Sequence, residues 1–294
     1  MNQLIAILVV GVLAASNSVA DQYKIRLDRP GKVSQKYRLT AIGEQSTVTS
    51  VTVADKVVHQ QTISVKGKLS GIVTVMEVNE KGESTRLKLS VVKLLRSSAD
   101  SPQDRDMLPK GTEVIVEYQE GEEVCLVNNA TARREVREIL AMLINLGQSS
   151  TSDDEVLGTD ELRTVGDVWG INKAKAVQDF KSQDIAIAED DISGEVTVKG
   201  IDTVNGVECL ELTGTIEARE IGVRLPPGMA LTEATMTVEF LGKFPTDLTT
   251  GRLVERASMA MTMVMVRPAT EETSAATTTV KIAQTSKKKR QYVE

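Results

Sequence analysis

Over residues 23–92 apolar and polar side chains alternate with a period of two, in a stretch dominated by Val, Thr, Ile and Ser. That period places successive side chains on opposite faces of a strand, and it does not form the stripe that a helix needs. Pro30-Gly31, Gly43, Gly67, Gly71 and Lys81-Gly82 punctuate the run. Val73 and Val75 share one face, and Thr74 and Met76 the other. Glu80-Lys81-Gly82-Glu83 reads as a hairpin turn leading into a strand over 84–94, with Leu87, Leu89 and Val91 on one side. Residues 96–107 (RSSADSPQDRDM) read as a polar loop, and 113–118 and 123–127 as a hairpin around Glu120-Gly121. Further strands are predicted over 184–188, 192–201, 207–218, 234–241 and 252–266, with Pro268 closing the last.

One segment breaks the pattern. In ATARREVREILAMLINLG, Val136, Ile139, Leu140, Leu143 and Leu146 recur at helical spacing. Asn129 or Thr131 can cap the start, and Gly147 stands where a left-handed residue ends a helix. Such a helix covers a sheet, because a sheet needs one face buried. The polar run QSSTSDDE (148–155) reads as a linker, and 269–294 as a mobile Thr-, Ser- and Lys-rich tail.

The strand pattern is written twice. LSGIVTV (69–75) matches ISGEVTV (192–198) at five of seven positions. At the same offset Leu87 and Leu89 correspond to Leu210 and Leu212. The turn Lys81-Gly82 is echoed by Asn205-Gly206, Leu108-Pro109-Lys110-Gly111 by Leu225-Pro226-Pro227-Gly228, and Val116-Glu117-Tyr118 by Val238-Glu239-Phe240. Pro30-Gly31-Lys32-Val33 stands where Val165-Gly166-Asp167-Val168-Trp169 stands later. An internal duplication follows as the expectation. The fold class is mainly β: two tandem, related, strongly bent antiparallel sheets, half-barrel-like, with one amphipathic helix between them. The boundaries are a signal peptide over 1–20, a first β module with its helix over 21–147, a linker over 148–160, a second module over 161–268, and the tail.

Residues 1–20 carry no charged side chain, and their apolar core, about a dozen residues, is short of the roughly 20 needed to span a bilayer. Ser18 and Ala20 suit a signal-peptidase cut before Asp21. An uncleaved anchor or a buried N-terminal strand is the alternative. The chain is therefore expected to be exported, periplasmic or extracellular, with no transmembrane segment after the cut. A net charge of −6 argues against nucleic acid, and 3% aromatic residues leave few stacking platforms.

Two motifs add a resemblance. Val165-Gly166-Asp167-Val168-Trp169 and Thr246-Asp247-Leu248-Thr249-Thr250-Gly251-Arg252-Leu253, with the repeated strands, resemble a functionally uncharacterised family of exported bacterial β-rich proteins carrying GDxW and TG-[KR]-[LV] motifs. The resemblance implies architecture and compartment only. A more distant likeness is to periplasmic lipoprotein carriers, whose bent sheet covered by a helix holds acyl chains. No diagnostic residue of those carriers is matched, so that likeness is of fold alone.

Candidate chemistry is sparse. His59 is the one histidine, and no GxSxG or other nucleophile signature accompanies it, so it reads as a half-exposed strand residue. One His and two distant Cys make a poor zinc set, and neither a metal nor any other cofactor is expected. Cys125 and Cys209 could form a disulfide in an oxidising compartment, or stand as two half-buried thiols. Met259, Met261, Met263 and Met265 alternate in ASMAMTMVMV and share one strand face. That face is a ligand-binding candidate for an apolar molecule, a poor Cu(I) site because neighbours on a strand face are about 7 Å apart, or plain core. Asp153-Asp154-Glu155 and Glu189-Asp190-Asp191 read as solvated loops rather than Ca²⁺ sites, and Asn129-Ala130-Thr131 is a glycosylation sequon. Lys287-Lys288-Lys289-Arg290 reads as part of the solvated tail, with contact to an anionic surface as the alternative. The expected function is a non-catalytic envelope protein binding an apolar ligand or a protein partner on its sheets; lipid and an envelope protein are the candidate partners. A purely structural module is the alternative, and a hydrolase the least supported reading.

Overall fold

The computed structural model describes residues 21–293 except 120–121, 145, 147–150, 226 and 270–273. Its strands are β1 (Tyr23–Lys24), β2 (Lys36–Val53), β3 (Lys56–Val78), β4 (Ser84–Ser98), β5 (Ser101–Asp106), β6 (Glu113–Gln119), β7 (Glu122–Val127) and β8 (Ala130–Thr131) in the first half. The second half holds β9 (Leu162–Arg163), β10 (Val168–Gly170), β11 (Ile192–Val204), β12 (Val207–Arg219), β13 (Ala230–Pro245), β14 (Val254–Arg267) and β15 (Ala276–Val293). The helices are α1 (Arg134–Leu143), α2 (Asp153–Leu157) and α3 (Lys173–Ser182). Turn chemistry sets the hairpins. Ala54 and Asp55 between β2 and β3, and Asn205 and Gly206 between β11 and β12, all have positive φ, as two-residue hairpin loops of matching twist require. At the β3–β4 turn the Asn79 carboxamide oxygen accepts from the backbone N–H of Lys81 and Glu83, both at 3.0 Å.

The expectation of a β-rich, antiparallel fold holds, and the sheet is not closed into a barrel. The two halves nevertheless share a single sheet, in the order β10-β11-β12-β13-β14-β15-β2-β3-β4-β6-β7-β8, with β5 hydrogen-bonded to β4. The join is β15, which pairs along its length with β14 on one side and β2 on the other. This corrects the reading of 269–294 as a mobile tail: residues 276–293 are a strand inside the sheet. The polar stretch 96–107 is likewise not an open loop, since it carries the end of β4 and all of β5. Within the supposed linker, residues 148–150 lie outside the described residues, and Ser152 starts α2. Its side chain accepts from the Glu155 N–H while the Glu155 carboxylate accepts from the Ser152 N–H, a reciprocal cap.

Register shows that both cores lie on one face of this sheet. Rungs such as Met236–Met261–Ile282–Thr47–Ile63 and Gly242–Glu255–Lys288–Ala41–Leu69 run across five strands with side chains on the same side. Over β15, β2 and β3 the face is covered by α1, whose Val136, Ile139, Leu140 and Leu143 join the first core. α1 rests on Gly43 and Gly67, which are cross-strand partners; a Cβ on Gly67 would meet Ile139 and Leu143 at 3.0–3.1 Å. The helix starts after Arg133 without a side-chain cap and ends at Leu143; Leu146 is buried beyond it, and Gly147 lies outside the described residues. At the other end the cover is Ile25, Leu27, Val156 of α2 and Ala176, Val177 and Phe180 of α3, with Trp169 and Ile171 between them. The Trp169 indole N–H donates to the Leu157 carbonyl at 2.8 Å.

The repeated sequence windows occupy corresponding places. Val75 of β3 accepts from Ser34 N–H and donates to Gln35 O; Val198 of β11 accepts from Gly166 N–H and donates to Asp167 O. Ser34 and Gly166 both have positive φ, at 69° and 96°. Tyr37 then faces Val73 as Trp169 faces Val196. The counterpart of Gly166 is therefore Ser34, three residues beyond the sequence-aligned Gly31. The loop lengths also shift the next strand: Val75 pairs with Leu87, whereas Val198 pairs with Leu212, not Leu210.

Candidate functional site

The methionine row forms the margin of the second core. Met261 is buried in the second core and Met259 and Met263 pack half-buried against it, while Met265 is buried outside that cluster. Their rung partners on β13 are Val238, Met236, Ala234 and Leu231. On β15 they are Gln284, Ile282, Val280 and Thr278. Farther along the same face the cover ends. Gln45 is exposed, Thr47 and Thr49 are half-buried, and Ile63 is 56% exposed although it points to the core side. The sheet face thus grades from packed methionine to an open strip that runs from α1 towards the β2–β3 hairpin. The structure packs Ile282 beside the methionines and places Ile63 on the rung of Met261, beyond Thr47, links that sequence reasoning did not make.

Below this strip, on the same face, lies a buried ion cluster. Glu255 takes Lys288 Nζ on one carboxylate oxygen, and Arg252 Nη1 and Arg290 Nη2 on the other, each at 3.4 Å. Arg252 also binds Asp153 at 2.7 Å, and its guanidinium lies 4.9 Å from the Phe244 ring centroid. Arg290 lies over Tyr37, whose ring is 5.5 Å from that of Tyr292. Burial alone would raise the Glu255 carboxyl, but Lys288, Arg252 and Arg290 outweigh it and hold it at about 2. Burial pushes the Lys288 ammonium down, and Glu255 opposes that.

The cluster explains the second motif. Asp247 accepts from Thr249 N–H, Thr249 Oγ1 and Thr250 Oγ1 at 2.8–3.0 Å, closing the turn before β14. Arg29 donates to the Pro245 and Asp247 carbonyls, both at 3.1 Å. Gly251 sits against the Tyr292 hydroxyl, where a Cβ has no room. Arg252 enters the ion cluster. In the first motif Gly166 supplies the left-handed turn, and Trp169 the core contact. These residues build architecture, with every polar group spent on the fold.

The remaining candidates separate. Cys125 and Cys209 are both free and buried, and they belong to different clusters, so the disulfide considered above is not formed. Burial, reinforced by Glu123, pushes the Cys125 thiol up to about 11, which keeps it protonated. His59 is exposed near the tip of the β2–β3 hairpin. Asp153, Asp154 and Glu155 form the first turn of α2, where acidic side chains are favoured, rather than a loop. Among the described residues no three His, Cys, Asp or Glu side chains converge in a way that could hold a metal ion. Two depressions, of about 460 and 340 Å³, lie around Val92–Lys110 and around Ile72, Met76 and Val293; neither touches the methionine row. No described helix is long and apolar enough to cross a membrane.

No family model matches the chain, and no curated protein matches it. Among solved structures, it is similar to a lipovitellin structure described for its lipid–protein interactions, with 8% identity and a TM-score of 0.34 over 88% of this chain and 25% of that one. It is also similar to OpdQ from Pseudomonas aeruginosa, with 8% identity and a TM-score of 0.22 over 88% of this chain and 98% of that one. The chain therefore spans a quarter of the lipovitellin chain, and neither likeness carries an argument at those scores.

Proposed function

We propose that this is a non-catalytic, exported protein that holds an apolar ligand on the core-facing strip of its middle strands. The observation that carries the reading is the half-covered rung Met236–Met261–Ile282–Thr47–Ile63, where a buried methionine surface runs into an exposed isoleucine. Thioether side chains adapt to irregular apolar shapes, and a row of them beside an open strip suits an acyl chain or an apolar peptide segment. The two halves are copies of one β module in this reading, and the uncovered strip lies beyond α1 on the middle strands, towards the β2–β3 hairpin. Mass spectrometry of an organic extract of the purified protein, with uptake of a fluorescent fatty acid, tests it. Ile63→Glu with Met263→Glu is expected to lower uptake at least tenfold. An empty extract with no uptake by the wild type would reject the proposal.

A second reading is a structural module that takes no small ligand. It is favoured by Met261 and Met265, which are already buried against protein neighbours. It expects neither extractable lipid nor uptake, together with a defined protein partner recovered by cross-linking in envelope fractions.

A further inference from the structure

We propose that the opposite face of the same sheet docks on an anionic lipid bilayer. Strand alternation divides the basic run of β15: Lys288 and Arg290 turn inward to Glu255, and Lys287 and Lys289 turn outward with Lys281. Register puts Arg256 of β14 directly opposite Lys287, so two exposed cations face each other across the ladder. Like charges so placed oppose folding unless something else neutralises them. Elsewhere on this face the protein neutralises its own lysines, Lys66 with Glu44, Lys68 with Asp104 and Lys88 with Glu113. Among the described residues Arg256, Lys281, Lys287 and Lys289 have no ion-pair partner. A chain of net charge −6 thus gathers uncompensated positive charge around β15 on this face, while the exposed Glu195, Glu217 and Glu239, without an ion pair among the described residues, lie on the same face over β11–β13.

Charge complementarity selects an anionic partner, and the neighbouring side chains select a bilayer. Ile42 lies opposite Lys287 and Ile72 opposite Arg38, and they are 41% and 40% exposed. Aliphatic side chains between long cationic ones gain from the headgroup boundary, where stems and apolar groups bury while charges meet phosphate. A dissolved polyanion offers the isoleucines nothing.

The test is co-sedimentation of the full chain with phosphatidylcholine vesicles, with and without phosphatidylglycerol. The wild type is expected to bind only the anionic vesicles, and less as salt is raised. The triple variant Arg256→Gln, Lys287→Gln, Lys289→Gln should lose at least about tenfold in partitioning, at roughly tenfold or less per cation. Ile42→Ser with Ile72→Ser should lose a smaller factor, and Lys173→Gln with Lys181→Gln on α3 none. Relieving the Arg256–Lys287 opposition should leave the melting temperature of the triple variant equal or higher, which separates lost docking from misfolding. The proposal is overturned if the wild type ignores anionic vesicles at low salt, if the triple variant binds as well as the wild type, or if the isoleucine variant binds unchanged and polyphosphate competes fully.

Discussion

Glu255 shows how one side chain of β14 ties three cations together: the motif arginine before β14, and two alternate residues of β15. Its carboxyl is held at about 2, below the ordinary 4.5, so it binds its proton less readily folded than unfolded. A depressed carboxylate adds stability that is fully present above pH 4.5 and is lost as pH falls towards 2. The shift corresponds to an order of 3 kcal/mol. Glu255→Gln is therefore expected to cost roughly 3 kcal/mol at neutral pH, because three cations lose their counter-charge in a buried setting. Urea unfolding at pH 7 and pH 3 checks it: the gap between variant and wild type should shrink at the lower pH. The basic run Lys287-Lys288-Lys289-Arg290 was visible in the sequence, but its inward half was not. Nothing local says that Glu255 stands opposite Lys288, because that needs the pairing of β14 with β15. The methionine alternation was visible in the same way, and what remained hidden was which of its residues meet the core and which meet the open strip.

At the level of elements, α1 depends on the absence of side chains beneath it. Gly67→Val should push Ile139 and Leu143 off the sheet, at about 1–3 kcal/mol, because the site is already filled. Thermal denaturation measures the loss, and faster amide exchange confined to α1 would localise it. The hairpins at Lys81-Gly82 and Asn205-Gly206 were legible because their turn residues state their own geometry; the Ala54-Asp55 turn was not, and Gly43, Gly67 and Gly71, read as punctuation, lie inside β2 and β3, the first two making room for α1. α1 was legible from its apolar stripe, although its start is Arg133 rather than Asn129 or Thr131. α2 was missed because it spans five residues and buries one, and α3, as long as α1, because only Ala176 on it is fully buried, too few to make a period. Their caps, Ser152 with Glu155 and Asn172 with Lys175 N–H, were the signals available. β15 was missed for a different reason. Its inward residues include Thr278, Gln284, Ser286, Lys288 and Arg290, polar because they line the open strip and the ion cluster, so its composition reads as a tail.

For the whole molecule, continuous pairing from β10 to β8 puts both halves in one sheet, and the expectation is that they unfold as one cooperative unit. Urea unfolding followed by Trp169 fluorescence, which reports the second half, should coincide with loss of amide protection in α1, which reports the first. Two separated transitions would show that the β15–β2 ladder does not couple them. The β class and the repeated windows could be read from the chain, since both are local patterns. Their union could not, because it depends on a strand from one half lying against a strand from the other. That union has a consequence for how the protein is made. Residues 36–52 emerge early during synthesis, yet one of their two hydrogen-bonding partners is the segment 277–293. Until it arrives, a long Thr- and Val-rich edge stands open to any passing strand. Assembly in the order of translation therefore needs either a chaperone to shield that edge or a delay of folding until the segment 277–293 has been made.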